Sequence, residues 1–185
     1  MLFVDGGNDI VGIGVVPTAQ FSHNIIQIGS QASLGANAAL STTGQTYLTH
    51  NLYYNTDGNL RVFNTSSANE GAILQMVDGI FKFSNSSATT GTPTVTERVR
   101  IDASGNLLVK KTADSLNNTT GISLNGAAGL IRIERDNDPS LQLNRLNANG
   151  QIIQFFRGST NQVGNITGNT SSTSYNTSSD HRLKE

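Results

Sequence analysis

The sequence predicts an all-β protein, and three observations carry that expectation. Its apolar residues fall into short, β-branched runs separated by Asp-Gly, Asn-Gly and Ser-Gly steps, the pattern of strands joined by tight turns. Its 185 residues are 36% hydrophobic and 14% charged, against roughly 45–50% and about 25% in ordinary soluble domains. Ser, Thr, Asn, Gln and Gly make up the difference. With 3 Pro and a net charge of -1, the chain also lacks the Pro and charge of a disordered segment. An extended β-structure that borrows its core from neighbouring copies reconciles these observations.

Taken in order, Phe3-Val4-Asp5-Gly6-Gly7-Asn8-Asp9-Ile10-Val11 sets two apolar runs around a turn and reads as a hairpin. Gly12-Ile13-Gly14-Val15-Val16-Pro17 begins like a dinucleotide fingerprint. It lacks the third Gly and places Pro17 where a helix would have to start, so strand and turn is the better reading. The one stretch compatible with a helix is Ala32-Ser33-Leu34-Gly35-Ala36-Asn37-Ala38-Ala39-Leu40, which Gly35 disfavours. Asn55-Thr56-Asp57-Gly58-Asn59-Leu60-Arg61-Val62 and Met76-Val77-Asp78-Gly79-Ile80-Phe81 repeat the hairpin signal, since Gly and Asn tolerate the positive φ of a two-residue turn. The polar stretches Thr65–Asn69 and Ser84–Gly91 read as loops.

The clearest hairpin is Val99-Arg100-Ile101-Asp102-Ala103-Ser104-Gly105-Asn106-Leu107-Leu108-Val109. Alternation in Leu130-Ile131-Arg132-Ile133-Glu134 and in Leu141-Gln142-Leu143-Asn144 predicts strands that bury one face. Asn147-Ala148-Asn149-Gly150-Gln151-Ile152-Ile153 is a looser copy of the hairpin unit, and Thr167 to Ser179 has the composition of a linker. The hairpins are irregularly spaced, unlike a strict solenoid repeat.

Most chemistry is disfavoured. A pI of about 6.3 gives no electrostatic footprint for nucleic acid or an anionic membrane. The absence of Cys removes disulfides, thiolate metal sites and thiol nucleophiles together. The N-terminus has no basic region and meets Asp5 after four residues, so it does not read as a signal peptide. No apolar run approaches the roughly 20 residues that span a bilayer. His23 and His50 stand without carboxylates at ligand spacing, so no metal is expected, and no cofactor either. A glycan hydrolase needs two facing carboxylates, but most Asp residues lie in turns and Glu70, Glu97 and Glu134 are scattered. The Asn-x-Ser/Thr sequons at Asn64, Asn85, Asn118, Asn165 and Asn169 are expected by chance in so polar a chain.

The most specific run is Tyr175-Asn176-Thr177-Ser178-Ser179-Asp180-His181-Arg182-Leu183-Lys184-Glu185. Its Ser-Asp-x-Arg-x-Lys order, at Ser179, Asp180, Arg182 and Lys184, resembles the opening of the intramolecular chaperone auto-processing domain. That domain ends phage tailspikes, endosialidases and L-shaped tail fibres, and occurs in a eukaryotic membrane-tethered transcription factor. Upstream, Glu97-Arg98-Val99-Arg100-Ile101-Asp102-Ala103-Ser104-Gly105-Asn106-Leu107 is similar to a Met-Arg-Ile-Asp-x-Ser-Gly-Asn segment of phage fibres and bacterial surface proteins. Val11-Gly12-Ile13-Gly14, and Thr46-Tyr47-Leu48 with Asn51-Leu52-Tyr53-Tyr54, are similar to further blocks of such fibres.

The resemblance implies an elongated homotrimeric fibre of short hairpins and intertwined or prism-like sheets, with loop-rich knobs. Residues 1–166 would form the fibre region, 167–179 the linker and 180–185 the first residues of the chaperone. It implies self-cleavage between Ser179 and Asp180, with Ser179 as nucleophile, Lys184 as its base, and Asp180 and Arg182 in support. A Lys must be brought down from about 10.4 to act as a base; Arg182 would help and Glu185 oppose. Attack of the Ser179 hydroxyl on its own carbonyl would need a four-membered ring, so the Asp180 carboxylate or a group from another subunit is expected to take part. The complete domain would be a self-cleaving Ser-Lys peptidase, whereas these 185 residues carry only its opening and are expected to be inactive. The function expected is a virion structural protein for host attachment. Its partners would be its own copies, other tail proteins and a host glycan or protein receptor, with no nucleic acid and no membrane insertion. The alternatives are the non-catalytic part of a polysaccharide-depolymerising tailspike, or a bacterial cell-surface adhesin with the same chaperone.

Overall fold

A computed structural model describes residues 1–7, 10–17, 23–37, 44–55, 59–63, 70–87, 92–116 and 119–177. The protein is all-β, with no helix among the described residues. The strands are β1 (Leu2–Asp5), β2 (Ile10–Ile13), β3 (His23–Ile28), β4 (Ala32–Asn37), β5 (Gln45–His50), β6 (Leu52–Tyr54), β7 (Leu60–Val62) and β8 (Gly71–Val77). They continue as β9 (Ile80–Ser86), β10 (Val95–Ile101), β11 (Leu107–Val109), β12 (Gly121–Asn125), β13 (Leu130–Glu134), β14 (Gly150–Arg157), β15 (Asn161–Gly168) and β16 (Thr173–Thr177). The chain divides into two compact units, Met1–Asp138 and Pro139–Glu185. The division falls inside the 1–166 region expected as one fibre segment.

In the first unit eleven strands form one sheet in the order β1-β2-β3-β4-β5-β8-β9-β10-β11-β12-β13, antiparallel throughout except for the parallel pair β2 and β3. The order follows the sequence except where β6 and β7 leave the sheet as a two-stranded ribbon. Four expected hairpins are present: β1–β2, β6–β7, β8–β9 and β10–β11. At the β8–β9 turn Asp78 and Gly79 both take positive φ, 52° and 76°, as a two-residue turn matching the strand twist requires. At β10–β11 the Asp102 carboxylate accepts hydrogen bonds from the Ser104 and Asn106 amides and from the Asn106 side chain. Burial disfavours the Asp102 anion, but these three donors outweigh it and hold the carboxyl below its ordinary range.

The Gly12-to-Pro17 segment ends β2 and turns, as read from the sequence. A Cβ on Gly12 would lie 2.3 Å from the Val15 carbonyl oxygen, so only glycine fits. Of the stretch 32–40 where a helix was allowed, Ala32–Asn37 is β4 instead, and residues 38–40 lie outside the described residues. Tyr47 of the neighbouring strand lies across Gly35, where a Cβ would sit 2.5 Å from its hydroxyl. Gly35 is therefore a platform for an aromatic ring, a role that periodicity along one segment does not reveal.

A small core lies between one face of the sheet and the β6–β7 ribbon. Leu52 and Val62 of the ribbon pack with Ile10, Ile25, Tyr47 and Ile73 of the sheet. Gly71 makes room for Leu52, and the Tyr47 and Tyr54 rings meet at 5.1 Å. Polar residues complete this face: Ser33 and Thr49 share a 2.7 Å hydroxyl contact, and Gln75 donates to the Tyr54 hydroxyl.

The second unit is the antiparallel sheet β14-β15-β16. Leu141–Asn144, expected as a strand, forms none, and Asn147–Ile153 is not a hairpin but the approach to β14. The Arg145 guanidinium donates to the Ala148 and Gln151 carbonyls and lies against Gly150, gathering residues 145–151 into a loop ahead of β14. The run expected as a linker holds the end of β15 and the whole of β16, whose Thr, Ser and Asn residues serve as edge-strand residues.

Candidate functional site

The feature that stands out is the second face of the eleven-stranded sheet. Residues paired directly across neighbouring strands point to the same side, so the registers define rows that run across the sheet. The central row is Val4, Val11, Ile26, Leu34, Leu48, Leu74, Phe83, Val99, Val109, Ile122 and Ile133, one residue from each strand and every one apolar. A flanking row on β3 to β13 reads Asn24, Ala36, Thr46, Met76, Phe81, Ile101, Leu107, Leu124 and Ile131. On the other flank lie Leu2, Ile13, Ile28, Ala32, His50, Ala72, Asn85 and Thr96.

None of these residues is Asp, Glu, Lys or Arg. Arg98, the extra residue of the bulge in β10, reaches the margin by donating to Asn85 at 2.7 Å. Many of the apolar side chains are open to solvent: Leu48 is 49% exposed and Phe83 46%. The opposite face of the same strands carries the charge. Lys82 is paired with Arg100, and Glu97, Arg132 and Glu134 also lie on that side.

Glu97, Arg100, Arg132 and Glu134 are tied into the sheet. Glu97 receives a two-pronged contact from Arg100, and buried Lys111 pairs with Glu134 and donates to the Ser115 carbonyl. Asp114 accepts from Arg132, Ser123 and Asn125, and these donors, Arg132 foremost, hold its carboxyl well below the usual range. Glu97 and Glu134, weighed as hydrolase carboxylates, thus serve as ion-pair partners. No group of three His, Asp or Glu residues that could hold a metal occurs among the described residues. His50 lies within the apolar face, directly between Ala32 and Ala72. No helix of the described residues is long and apolar enough to cross a membrane.

The self-cleavage residues expected from the sequence, Ser179, Asp180, Arg182 and Lys184, lie outside the described residues. Apolar strand faces turned toward neighbouring copies were expected from the sequence; which residues share one face was not. Alternation within each strand was visible, but the face appears only when the register between strands is known. No protein-family model matches the chain, and no similar protein was found among curated sequences or solved structures.

Proposed function

We propose that this chain is a segment of a homotrimeric virion fibre, a tail fibre or tailspike that attaches a bacterial virus to its host and is matured by self-cleavage of a C-terminal chaperone. The observation that carries the assembly is the charge-free apolar face running through all eleven strands. The central row spans ten inter-strand steps of about 4.8 Å and its flanks eight and seven, with rows about 7 Å apart, so the face has a projected area on the order of 500 Å². That is a large part of the roughly 800 Å² per partner of a stable protein interface.

The occupant is another copy of the same sheet. Strands twist by roughly 20° per step, so eleven of them turn the face through about 200° from edge to edge. A flat partner cannot follow such a surface, whereas a copy with the same twist winds along it. Three copies around one axis place the apolar faces inward and the charged faces outward. The Ser179-Asp180-x-Arg182-x-Lys184 terminus supports the number three, through its resemblance to a trimerising chaperone.

The test is to produce the chain with a complete chaperone domain and follow mass and cleavage together. The expected product is cut at or beside Ser179 and scatters light as three chains; Ser179→Ala and Lys184→Ala stop the cut. A mature product that is a monomer or a dimer overturns the fibre assembly. Cleavage unchanged in both variants overturns the maturation mechanism.

A further inference from the structure

The second unit carries a cleft that neither the apolar face nor the terminal motif uses. One wall is the loop 143–149; the other is the end of β15 with the turn at Asn169 and Thr170, and the half-open cleft has a volume of about 410 Å³. Its residues include Asn144, Arg145, Asn147, Asn149, Ile152 and Asn169. That volume lies within the roughly 300–1,000 Å³ of small-ligand sites.

Each wall is fixed by local bonds. The Asn169 side-chain oxygen accepts from the Ser171 and Ser172 amides at 2.8 and 2.7 Å, and its amide nitrogen donates to the Ser172 hydroxyl. Ile152 packs over Gly168, where a Cβ would lie 2.6 Å from its Cδ1, and supplies an apolar patch. Arg145 uses two N–H groups on the Ala148 and Gln151 carbonyls. A guanidinium has five such donors, so three remain for a ligand.

The electrostatics select the sign of that ligand. Residues 139–177 contain Arg145 and Arg157 but no Asp or Glu, although the whole chain has a net charge of -1. The amides select its class. Asn144, Asn147 and Asn149 make no hydrogen bond among the described residues, and each offers a carbonyl acceptor beside two N–H donors. Neighbouring sugar hydroxyls donate and accept at once and match such amides, while the C–H face of a ring suits Ile152. A carboxylate on the sugar gives Arg145 a charge-assisted partner.

We infer that this cleft binds an acidic saccharide, a uronate-type sugar of a cell-surface polysaccharide, through Arg145 and the asparagines of the 143–149 loop. The inference rests on the host-attachment reading and gives it a site and a ligand class.

The test titrates the chain, produced with the complete chaperone domain, calorimetrically with trigalacturonate, with galactotriose and with sodium sulfate, while light scattering records its mass. Trigalacturonate is expected to bind at least about tenfold more tightly than galactotriose, because one charge-assisted hydrogen bond separates them. Asn149→Asp introduces a negative charge of nearly the same shape and should weaken trigalacturonate by a similar factor. Arg145→Gln should do the same and Arg145→Lys restore part of the loss. Equal affinity for the neutral sugar, or sulfate binding as tightly as trigalacturonate, overturns the assignment. So does the absence of binding, or an Asn149→Asp chain that folds normally and binds unchanged. A trimer that binds nothing removes the site and leaves the fibre standing; a monomer that binds does the reverse.

Discussion

The two faces of the eleven-stranded sheet are built on opposite principles, although the same strands supply both. One face mixes apolar, hydroxyl and charged residues and covers itself: the β6–β7 ribbon caps Ile10, Ile25, Tyr47 and Ile73, and Ser33, Thr49 and the Arg100–Glu97 pair satisfy one another. The other face is apolar from Val4 to Ile133 and, among the described residues, stays open. A chain 36% hydrophobic has little apolar surface to spare. Placing so much of it where the chain itself does not bury it makes sense when another molecule completes the core. On the proposed fibre assembly, the covered face governs whether one chain folds, and the open face whether chains assemble.

The strongest way to break this contrast is a charge at the centre of the open face. Phe83→Glu exchanges a half-exposed ring for a carboxylate, which a single chain tolerates because the side chain already meets water. In the proposed trimer it would bury three like charges, each costing several kcal/mol. The expected outcome is loss of the trimer in light scattering with the β-type circular dichroism retained. A trimer of unchanged stability would show that this face is not the interface.

Leu52→Ala asks the converse question of the covered face. Leu52 is fully buried against Gly71 and the core, so its truncation should lower single-chain stability by about 2–5 kcal/mol. The measurement is denaturant unfolding, and the number of chains per assembly should not change. Loss of assembly at unchanged stability would interchange the roles assigned to the two faces.

A smaller effect tests the electrostatics of the covered side. The Asp114 carboxyl is held low by Arg132, Ser123 and Asn125. Since its folded value lies below the unfolded one, it contributes stability that is fully present above the unfolded pKa of about 3.9. That contribution is lost as the pH falls through the folded value. Wild type should therefore exceed Asp114→Asn in stability at pH 7, and the gap should close as the pH drops below about 4. A gap of constant size across that range would mean that geometry, not charge, makes the contribution.

Much of the fold could be read from the sequence because the turns are written locally. Asp78-Gly79 and Asp102 to Asn106 specify their conformations through positive φ and side-chain-to-backbone bonds, and both hairpins were placed from those residues. Where long-range contacts decide, the sequence was silent. Gly35 is in a strand because Tyr47 from another strand needs the space. The membership of the apolar face belongs to the same class: ten registers must be known before Val4 and Ile133 fall in one row. The terminal motif is the reverse case, legible as residues and placed beyond those the structure describes.

The smallest effect separates turn chemistry from both faces. Gly79 has a φ of 76°, and the nearest heavy atom to a Cβ there is the Ala103 Cβ at 3.7 Å, an ordinary contact. Gly79→Ala therefore meets no steric obstacle, and its effect is the conformational penalty of an L-residue in the left-handed region, about 1 kcal/mol. The penalty is local to one turn and should be the same whether the chain is alone or assembled. Unfolding of Gly79→Ala at several protein concentrations should give a constant difference from wild type. The Phe83→Glu difference, by contrast, should grow with concentration as wild type assembles and the variant does not. If the Gly79→Ala difference also grew with concentration, this turn would lie within the contact between copies, and the interface would extend past the three apolar rows onto the rim of the sheet.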